Sequence, residues 1–230
     1  MEIEYYAELP STQDKVKEIL VRPRAKTPFA VCALRQTAGY GKQGRHFYSP
    51  AAGLYLTLAL PVPEVANLGL VTLAVGCELA EWLNRRYQQQ IRLKWVNDLY
   101  LDGKKLGGIL TERRGEWLLV GFGLNFGTAA FPAELAPKAA SLLPGAKLDQ
   151  DLVKGACQAI EKAAVSAKNG AFLDRYRRLC FLQGRQVRVK LGHGELQGQC
   201  LGIDDQGRLL LNTPAGVKAV ASGEVTKVDF

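Results

Sequence analysis

A segment rich in glycine and cations runs from Gly39 to Arg45, with the sequence Gly-Tyr-Gly-Lys-Gln-Gly-Arg. Glycine lets backbone N–H groups approach a bound anion closely, and the side chains of Lys42 and Arg45 can neutralise its charge. We therefore interpret residues 37–48 as an anion-binding loop. A flexible, solvated surface turn would use the same residue types, so the loop by itself leaves both interpretations open.

The three glycines of this loop also match the Gly-x-Gly-x-x-Gly pattern of dinucleotide-binding proteins. In those proteins a helix begins at the glycines, so that its N-terminus faces the pyrophosphate. Here the chain continues into residues 53–60, which have the pattern of a strand. The acidic residue that such a site places at a strand end about twenty positions later is not found there. These features argue against a nicotinamide or flavin site.

Polar, cationic and glycine residues also stand at the ends of three apolar runs further along the chain. Residues 94–98 end one predicted strand, residues 105–108 begin the second arm of a predicted hairpin, and residues 121–125 end a third strand. A lone lysine at a strand end is usually solvated, whereas several cations beside glycines fit a densely charged anion. The sequence thus predicts one anion site built from several strand ends.

The elements that must position these residues alternate between helix and strand periodicity. Helices are predicted from Ser11 and over residues 65–86, 151–168 and 172–182. Strands are predicted on both sides of the glycine loop and around Asp102-Gly103, a strong hairpin signal. From Gly184 onward, five short strands separated by glycine-containing turns predict a small C-terminal β-barrel.

The composition is that of an ordinary folded protein, with 47% hydrophobic and 23% charged residues among 230. No apolar run is long enough to cross a bilayer and no secretory segment is found, so we expect a cytoplasmic protein. The five cysteines are expected to be free, buried thiols, and with two histidines they give little support to a metal site made of protein ligands. The net charge of +8 suits nucleic acid, an acidic partner or an anionic substrate.

Together these segments resemble the biotin protein ligases. The resemblance is carried, in this order, by residues 36–45 (Gln-Thr-Ala-Gly-Tyr-Gly-Lys-Gln-Gly-Arg), 93–99 (Leu-Lys-Trp-Val-Asn-Asp-Leu), 105–110 (Lys-Leu-Gly-Gly-Ile-Leu) and 121–125 (Gly-Phe-Gly-Leu-Asn). It implies an α+β fold, with a mixed central sheet flanked by helices, as in class II aminoacyl-tRNA synthetases and the biotin and lipoate ligases. It also implies a catalytic biotin- and ATP-binding domain at residues 1–183 and a small C-terminal β-barrel domain at residues 184–230. We expect the short form, without the DNA-binding domain that some members carry.

The implied reaction has two steps. Biotin and ATP, with Mg²⁺ accompanying the phosphates, give biotinyl-adenylate and pyrophosphate. A lysine of a biotin carboxyl carrier protein, of the acetyl-CoA carboxylase type, then takes the biotinyl group. The enzyme must neutralise and align two anions. The resemblance is compatible with a monomer or a homodimer, and it leaves the role of the barrel open between closing the ATP site and docking the carrier.

The resemblance also implies the site residues. Those implied to bind biotin are Ser11, Thr12, Gln13, Gln36, Tyr40, Gly41, Lys42 and Lys105. Those implied to bind ATP are Lys42, Arg45, Phe47, Lys94 and Asn125, with Phe47 against the adenine and Asn125 at its edge. Those implied to be catalytic are Lys105 at the biotin carboxylate, Lys94 at the phosphates and Asp98 as the partner of the carrier lysine. Without the resemblance, Ser11 and Thr12 would be interpreted as helix caps, Phe47 as core and Asp98 as a turn residue.

The glycine loop departs from the family pattern at two positions. Tyr40 and Lys42 stand where arginine is common. One cation is thereby lost, and the other cannot form a bidentate fork to phosphate. We therefore expect this chain to hold biotinyl-adenylate less firmly than an arginine-rich member, and we expect arginine at both positions to slow its release.

Two other functions remain open at the level of the sequence. A lipoate-type ligase of related fold would not need the polar cluster of residues 11–13. A non-catalytic nucleic-acid-binding protein is suggested by the net charge and by Arg175, Arg177 and Arg178. An arginine-rich helix face is more often simply solvated, however, and no recognised nucleic-acid motif is found.

Overall fold

A seven-stranded mixed sheet forms the centre of the computed structural model, which describes residues 1–21, 28–65 and 67–228. Its strands are β1 (Glu2–Tyr6), β2 (Phe29–Ala33), β3 (Leu54–Pro61), β4 (Arg92–Lys94), β5 (Asp98–Leu101), β6 (Lys104–Arg114) and β7 (Trp117–Leu124). They lie in the order β1-β2-β3-β7-β6-β5-β4. β1 and β2 run parallel, and the other neighbours run antiparallel. The mixed central sheet expected from the sequence is confirmed.

Helices flank both faces of this sheet. They are α1 (Thr12–Leu20), α2 (Leu68–Tyr87), α3 (Gln150–Asn169) and α4 (Leu173–Leu179). α4 is shorter than the predicted 172–182, because Cys180 adopts an extended conformation and pairs with Leu93 beside β4. Within the described ranges, no helix is long and apolar enough to cross a membrane.

α1 covers one face of the sheet, and α2 and α3 cover the other. Val16 and Ile19 of α1 pack with Phe29, Val31 and Ala59 in a small apolar cluster. On the opposite face, α2 and α3 pack together over the main core. All five residues of β2 are buried, as expected for a strand covered on both faces. This layering places the first turn of α1 directly against the sheet.

The hairpin predicted at Asp102-Gly103 is present between β5 and β6. Both residues have positive φ angles, 50° and 74°. This is the conformation that a two-residue hairpin turn needs, and Asp-Gly adopts it readily. The turn therefore fixes the arm that carries Lys105 opposite the strand that carries Asp98.

The C-terminal segment forms a five-stranded antiparallel sheet in the order β11-β10-β9-β8-β12. Its strands are β8 (Gln186–Lys190), β9 (Glu195–Ile203), β10 (Leu209–Thr213), β11 (Gly216–Val220) and β12 (Glu224–Val228). All five predicted strands are confirmed. Their buried residues, such as Val189 and Leu211, belong to the same apolar cluster as the central sheet. The division at residues 183 and 184 stays a prediction.

All five cysteines are buried and free, as the sequence analysis expected. Burial raises the pKa of the Cys32, Cys77, Cys157 and Cys180 thiols to about 12. It also raises the pKa of Cys200. These thiols therefore remain protonated near neutral pH and contribute to the core as small apolar groups.

Candidate active site

The predicted site residues come together around a cavity of about 200 Å³. The first turn of α1, the glycine loop, the ends of the central strands and the start of β12 enclose it. The predicted residues that line it are Ser11, Thr12, Gln13, Gln36, Tyr40, Gly41, Lys42, Arg45, Phe47, Lys94, Asp98 and Lys105. Residues that are more than 90 positions apart in the chain thus share one site.

One side of the cavity carries a buried hydrogen-bond network. The Thr12 amide and hydroxyl donate to Gln36 Oε1 at 2.8 and 3.1 Å. The Thr57 hydroxyl lies 2.9 Å from the Thr12 hydroxyl and donates to Gln13 Oε1 at 3.1 Å. Ser11 caps α1 by accepting from the Asp14 amide, as predicted. Polar groups fixed in this way can orient the polar ring of a mostly apolar ligand.

Thr57 is a site residue that the sequence analysis missed. It is fully buried in the middle of β3, where the other residues from Leu54 to Leu60 are apolar except for Tyr55. A hydroxyl inside such a run needs a hydrogen-bond partner. That requirement was the signal available in the sequence.

Cations and one carboxylate are grouped at the ends of β4, β5 and β6. Lys94 lies opposite Asp98 in the β4–β5 register, and Lys105 Nζ lies 2.7 Å from Asp98 Oδ1. Burial lowers the pKa of Lys94, an effect that Asp98 opposes and Lys105 reinforces. A bound anion would raise the pKa of Lys94 again, because it would stabilise the charged ammonium. The group therefore suits a ligand with several negative charges.

The glycine loop is an ordered, distorted hairpin. Its backbone rungs are Gln36 N–H to Ser49 O at 3.1 Å, Phe47 N–H to Gly39 O at 2.8 Å and Gly41 N–H to Arg45 O at 2.8 Å. At the tip, Lys42–Gly44 form a 3-10 turn in which Gly44 has a φ of 71°. Burial and the neighbouring Arg45 lower the pKa of Lys42. The loop thus presents its cations from a defined backbone.

Phe47 packs against a glycine on β7. A Cβ atom at Gly123 would lie 2.6 Å from the Phe47 ring. The ring also meets Tyr55 edge to face, with 6.4 Å between centroids, and lies 5.9 Å from Lys105 Nζ. Phe47 is thereby held as an apolar wall of the cavity.

The C-terminal sheet contributes Gly223, Glu224 and Val225 to the same cavity. The Glu224 carboxylate forms an ion pair with the Arg45 guanidinium at the tip of the glycine loop. The sequence analysis left the role of this sheet open and did not identify Glu224. No local sequence pattern joins two residues that lie 179 positions apart.

Asn125 is separate from the residues that line the cavity. Its side-chain amide donates to Ala140 O at 3.1 Å, and its backbone bonds to Leu106 and Leu142. These bonds attach the irregular segment after β7 to the sheet. The predicted contact of Asn125 with adenine stays a prediction.

Two of the three arginines that suggested nucleic-acid binding, Arg175 and Arg177, are engaged with carboxylates. Arg175 contacts Glu78 and Glu81 at 2.5 and 2.6 Å. Arg177 contacts Asp174 and Asp205 at 2.7 and 2.6 Å. The pKa of the buried Glu78 is lowered, because hydrogen bonds from Arg175 and Lys162 outweigh its burial. The charges of Arg175 and Arg177 are therefore balanced by carboxylates of the protein itself, which weakens the case for nucleic acid.

Comparisons with known proteins agree with this geometry. Residues 5–125 match the Biotin/lipoate A/B protein ligase family, and residues 183–228 match the Biotin protein ligase C terminal domain. The bifunctional ligase/repressor BirA of Salmonella typhimurium is 31% identical over 215 residues, which cover 86% of this chain and 66% of that protein. The biotin--[acetyl-CoA-carboxylase] ligase of Mycobacterium tuberculosis is 31% identical over 205 residues, which cover 84% of this chain and 76% of that protein.

Among solved structures, the biotin protein ligase from Aquifex aeolicus in complex with biotin and ATP superimposes with a TM-score of 0.87 at 29% identity. The superposition covers 98% of this chain and 97% of that chain. The two family matches together extend over both the central sheet and the C-terminal sheet. The chain belongs to the biotin/lipoate A/B protein ligase family.

Proposed function

We propose that this chain is an ATP-dependent biotin protein ligase. It forms biotinyl-5′-AMP from biotin and ATP, and it transfers the biotinyl group to a specific lysine of a biotin carboxyl carrier protein. The observation that carries the proposal is that a buried polar network and the side chains of Lys42, Arg45, Lys94 and Lys105 line the same cavity. The bound ligands of the Aquifex aeolicus relative, biotin and ATP, have the chemistry that such a cavity fits.

In the first step, a biotin carboxylate oxygen bonds to the α-phosphorus of ATP and pyrophosphate leaves. Both reactants are anions, so their repulsion must be cancelled before they can approach. We assign Lys105, which pairs with Asp98, to the carboxylate, and Lys94, Lys42 and Arg45, which line the same cavity, to the phosphates. Magnesium bound to the triphosphate would supply further neutralisation of the phosphate charge.

In the second step, the lysine amine of the carrier bonds to the biotinyl carbonyl carbon and AMP leaves. The amine must lose a proton as the amide forms. Asp98 is the carboxylate nearest to Lys105, at 2.7 Å, and it faces the cavity. We assign it the role of orienting the incoming amine and accepting that proton.

The polar network distinguishes biotin from lipoate. Thr12, Gln36 and Thr57 place hydroxyl and amide groups inside the cavity. Biotin carries a ureido ring that can pair with such groups, whereas the dithiolane ring of lipoate cannot. Hydroxyl and amide groups that face the cavity gain further hydrogen bonds from a polar ring and none from an apolar one. We therefore propose biotin as the substrate.

The cytoplasmic location and the monomeric or homodimeric state stay predictions.

The test is incubation with biotin, MgATP and a biotin carboxyl carrier domain, followed by mass measurement of the carrier. We expect the mass gain of one biotinyl group, and we expect biotin but not lipoate to support exchange of radiolabelled pyrophosphate into ATP. Lys105→Ala should abolish the mass gain. Lys104→Ala is the matched control, because Lys104 Nζ is directed to Ala136 O. Pyrophosphate exchange that is supported by lipoate and not by biotin would contradict the proposal.

A further inference from the structure

A cluster of four side chains joins the glycine loop to α1 and β6. The Tyr40 hydroxyl donates to Asp14 Oδ1 at 2.6 Å and accepts from Lys17 Nζ at 2.9 Å. Lys17 Nζ also lies 2.8 Å from Glu112 Oε2. We call Asp14, Lys17, Tyr40 and Glu112 the Tyr40 cluster. It connects three elements that are distant in the sequence, and its Tyr40 lines the cavity.

The Tyr40 cluster is continuous with the polar network of the cavity. Gln13 Nε2 donates to Glu112 Oε2 at 2.8 Å, and Gln13 Oε1 accepts from Thr57. Asp14 and Lys17 stand three residues apart on α1, so they lie on one face of the helix. The same helical segment therefore carries residues that line the cavity and residues that bind the loop.

The protonation states of Tyr40 and Lys17 suit this arrangement. Burial and the hydrogen bond to Asp14 raise the pKa of Tyr40. Burial opposes the charge of Lys17, but hydrogen bonds to Glu112 and Tyr40 raise its pKa overall. Tyr40 therefore keeps the proton that it donates, and Lys17 keeps its charge, throughout the neutral range.

We propose that Tyr40 is a positioning residue that holds the glycine loop against α1 and so slows the loss of biotinyl-adenylate. This inference rests on the proposed function. The loop is also held by its own backbone rungs and by the pair of Arg45 with Glu224. These contacts act at the stem and the tip. Tyr40 attaches the intervening strand of the loop to the helix that lines the cavity.

An arginine at position 40 could not make the same contacts. A guanidinium has donors and no acceptor, so it could bond to Asp14 but not accept from Lys17. Its charge would also oppose that of Lys17. This reverses the sequence-based expectation that arginine at position 40 would strengthen retention of the intermediate. The expectation for Lys42 is unaffected.

The test is the release rate of biotinyl-adenylate in the absence of carrier, measured by chasing labelled intermediate with excess unlabelled biotin. Tyr40→Phe keeps the ring and removes the hydroxyl, so we expect release about tenfold faster. In Asp14→Ala, which removes the acceptor of the Tyr40 hydroxyl without touching a residue that lines the cavity, the rate at which the intermediate forms at saturating substrates should change by less than about twofold. Tyr48→Phe is the matched control, because Tyr48 packs beside Phe131 and should release at the wild-type rate.

Two further variants separate positioning from a general loss of structure. Asp14→Ala removes the acceptor from the helix side and should give the same faster release. Combined with Tyr40→Phe, it should add little, because both changes remove the same hydrogen bond between Tyr40 and Asp14. Tyr40→Arg should also release faster than wild type.

Wild-type release rates in both Tyr40→Phe and Asp14→Ala would overturn the inference while leaving the proposed function intact. Fully additive effects in the double variant would also overturn it. A wild-type protein that forms no biotinyl-adenylate would instead overturn the proposed function.

Discussion

At the scale of single residues, Gly123 decides where the Phe47 ring can lie. A Cβ atom at this position would come within 2.6 Å of the ring, too close for two packed carbons. Since β7 is bonded to β3 and β6 on its two sides, the backbone has little freedom to move away. The ring must then leave its place beside the cavity.

Gly123→Ala is therefore expected to weaken ATP binding more than biotin binding. We expect the KM for ATP to rise about tenfold and the free energy of unfolding to fall by about 1–3 kcal/mol. Steady-state kinetics and denaturant unfolding measure the two effects. Gly192→Ala is the control, because a Cβ there has no heavy atom within 4 Å. An unchanged KM for ATP would show that Phe47 does not form the adenine wall.

The lowered pKa of Lys94 leads to a prediction of how ATP binding depends on pH. Burial lowers its pKa from the ordinary 10.5. The ammonium that attracts phosphate is present below that lowered pKa and is lost as the pH rises through it. We therefore expect ATP affinity to fall at a lower pH than an ordinary lysine would give.

In Lys94→Arg the charge persists, so the alkaline loss of ATP affinity should move to higher pH. It should not vanish, because burial also lowers the pKa of Lys42. Titration of ATP binding across the alkaline range measures this. Lys104→Arg serves as the control, since Lys104 is exposed and bonds to Ala136 O. Identical profiles for wild type and Lys94→Arg would contradict the assignment.

Most of the site residues predicted from the sequence line the cavity, because their types and order are distinctive. The sequence did not predict which side chains these residues form hydrogen bonds with. Tyr40 was expected to bind biotin and stands where arginine is common, but its contacts with Asp14 and Lys17, which helix periodicity places on one face, were not predicted. Such contacts depend on the packing of the loop against α1, which no local pattern specifies.

At the scale of elements, the glycine loop is bound on two sides by different parts of the molecule. Tyr40 attaches it to α1, and Arg45 attaches its tip to Glu224 at the start of β12. The Asp102-Gly103 hairpin was predictable because both residues of the turn are adjacent in sequence. The attachment of the loop to β12 was not, because it depends on how the C-terminal sheet docks.

Glu224→Ala should free the loop tip on the side of β12. An exposed ion pair contributes only about 0.2–1 kcal/mol, so we expect a modest effect. Tryptic cleavage after Lys42 and Arg45 should become about two- to fivefold faster, as followed by mass spectrometry. Glu195→Ala is the control, because it breaks a similar ion pair with Arg188 away from the loop. Equal cleavage of this loop in both variants would contradict the prediction.

At the scale of the whole molecule, the C-terminal sheet shares its core with the central sheet. Val187, Val189 and Leu211 belong to one apolar cluster with α2 and β3. Trp95, which directly follows β4, donates its indole N–H to Gly207 O at 3.0 Å. The two predicted domains are therefore expected to depend on each other for stability.

A chain cut after residue 183 should lose both stability and activity. Removal of the C-terminal sheet exposes part of the main core and takes away the cavity wall of Gly223, Glu224 and Val225. We expect aggregation or a clearly lowered thermal midpoint, and no adenylate formation. Calorimetry and pyrophosphate exchange measure these outcomes. A soluble fragment that unfolds like the full chain would show that the two parts are independent.

The burial of every native thiol has a practical consequence for chemical labelling. Maleimides and similar reagents attack thiolates, and the raised pKa values keep the five cysteines in the protonated form, inside the core. A single introduced thiol, such as His46→Cys on the exposed part of the glycine loop, would then react alone. Because His46 lines the cavity, a fluorophore placed there would report on ligand binding.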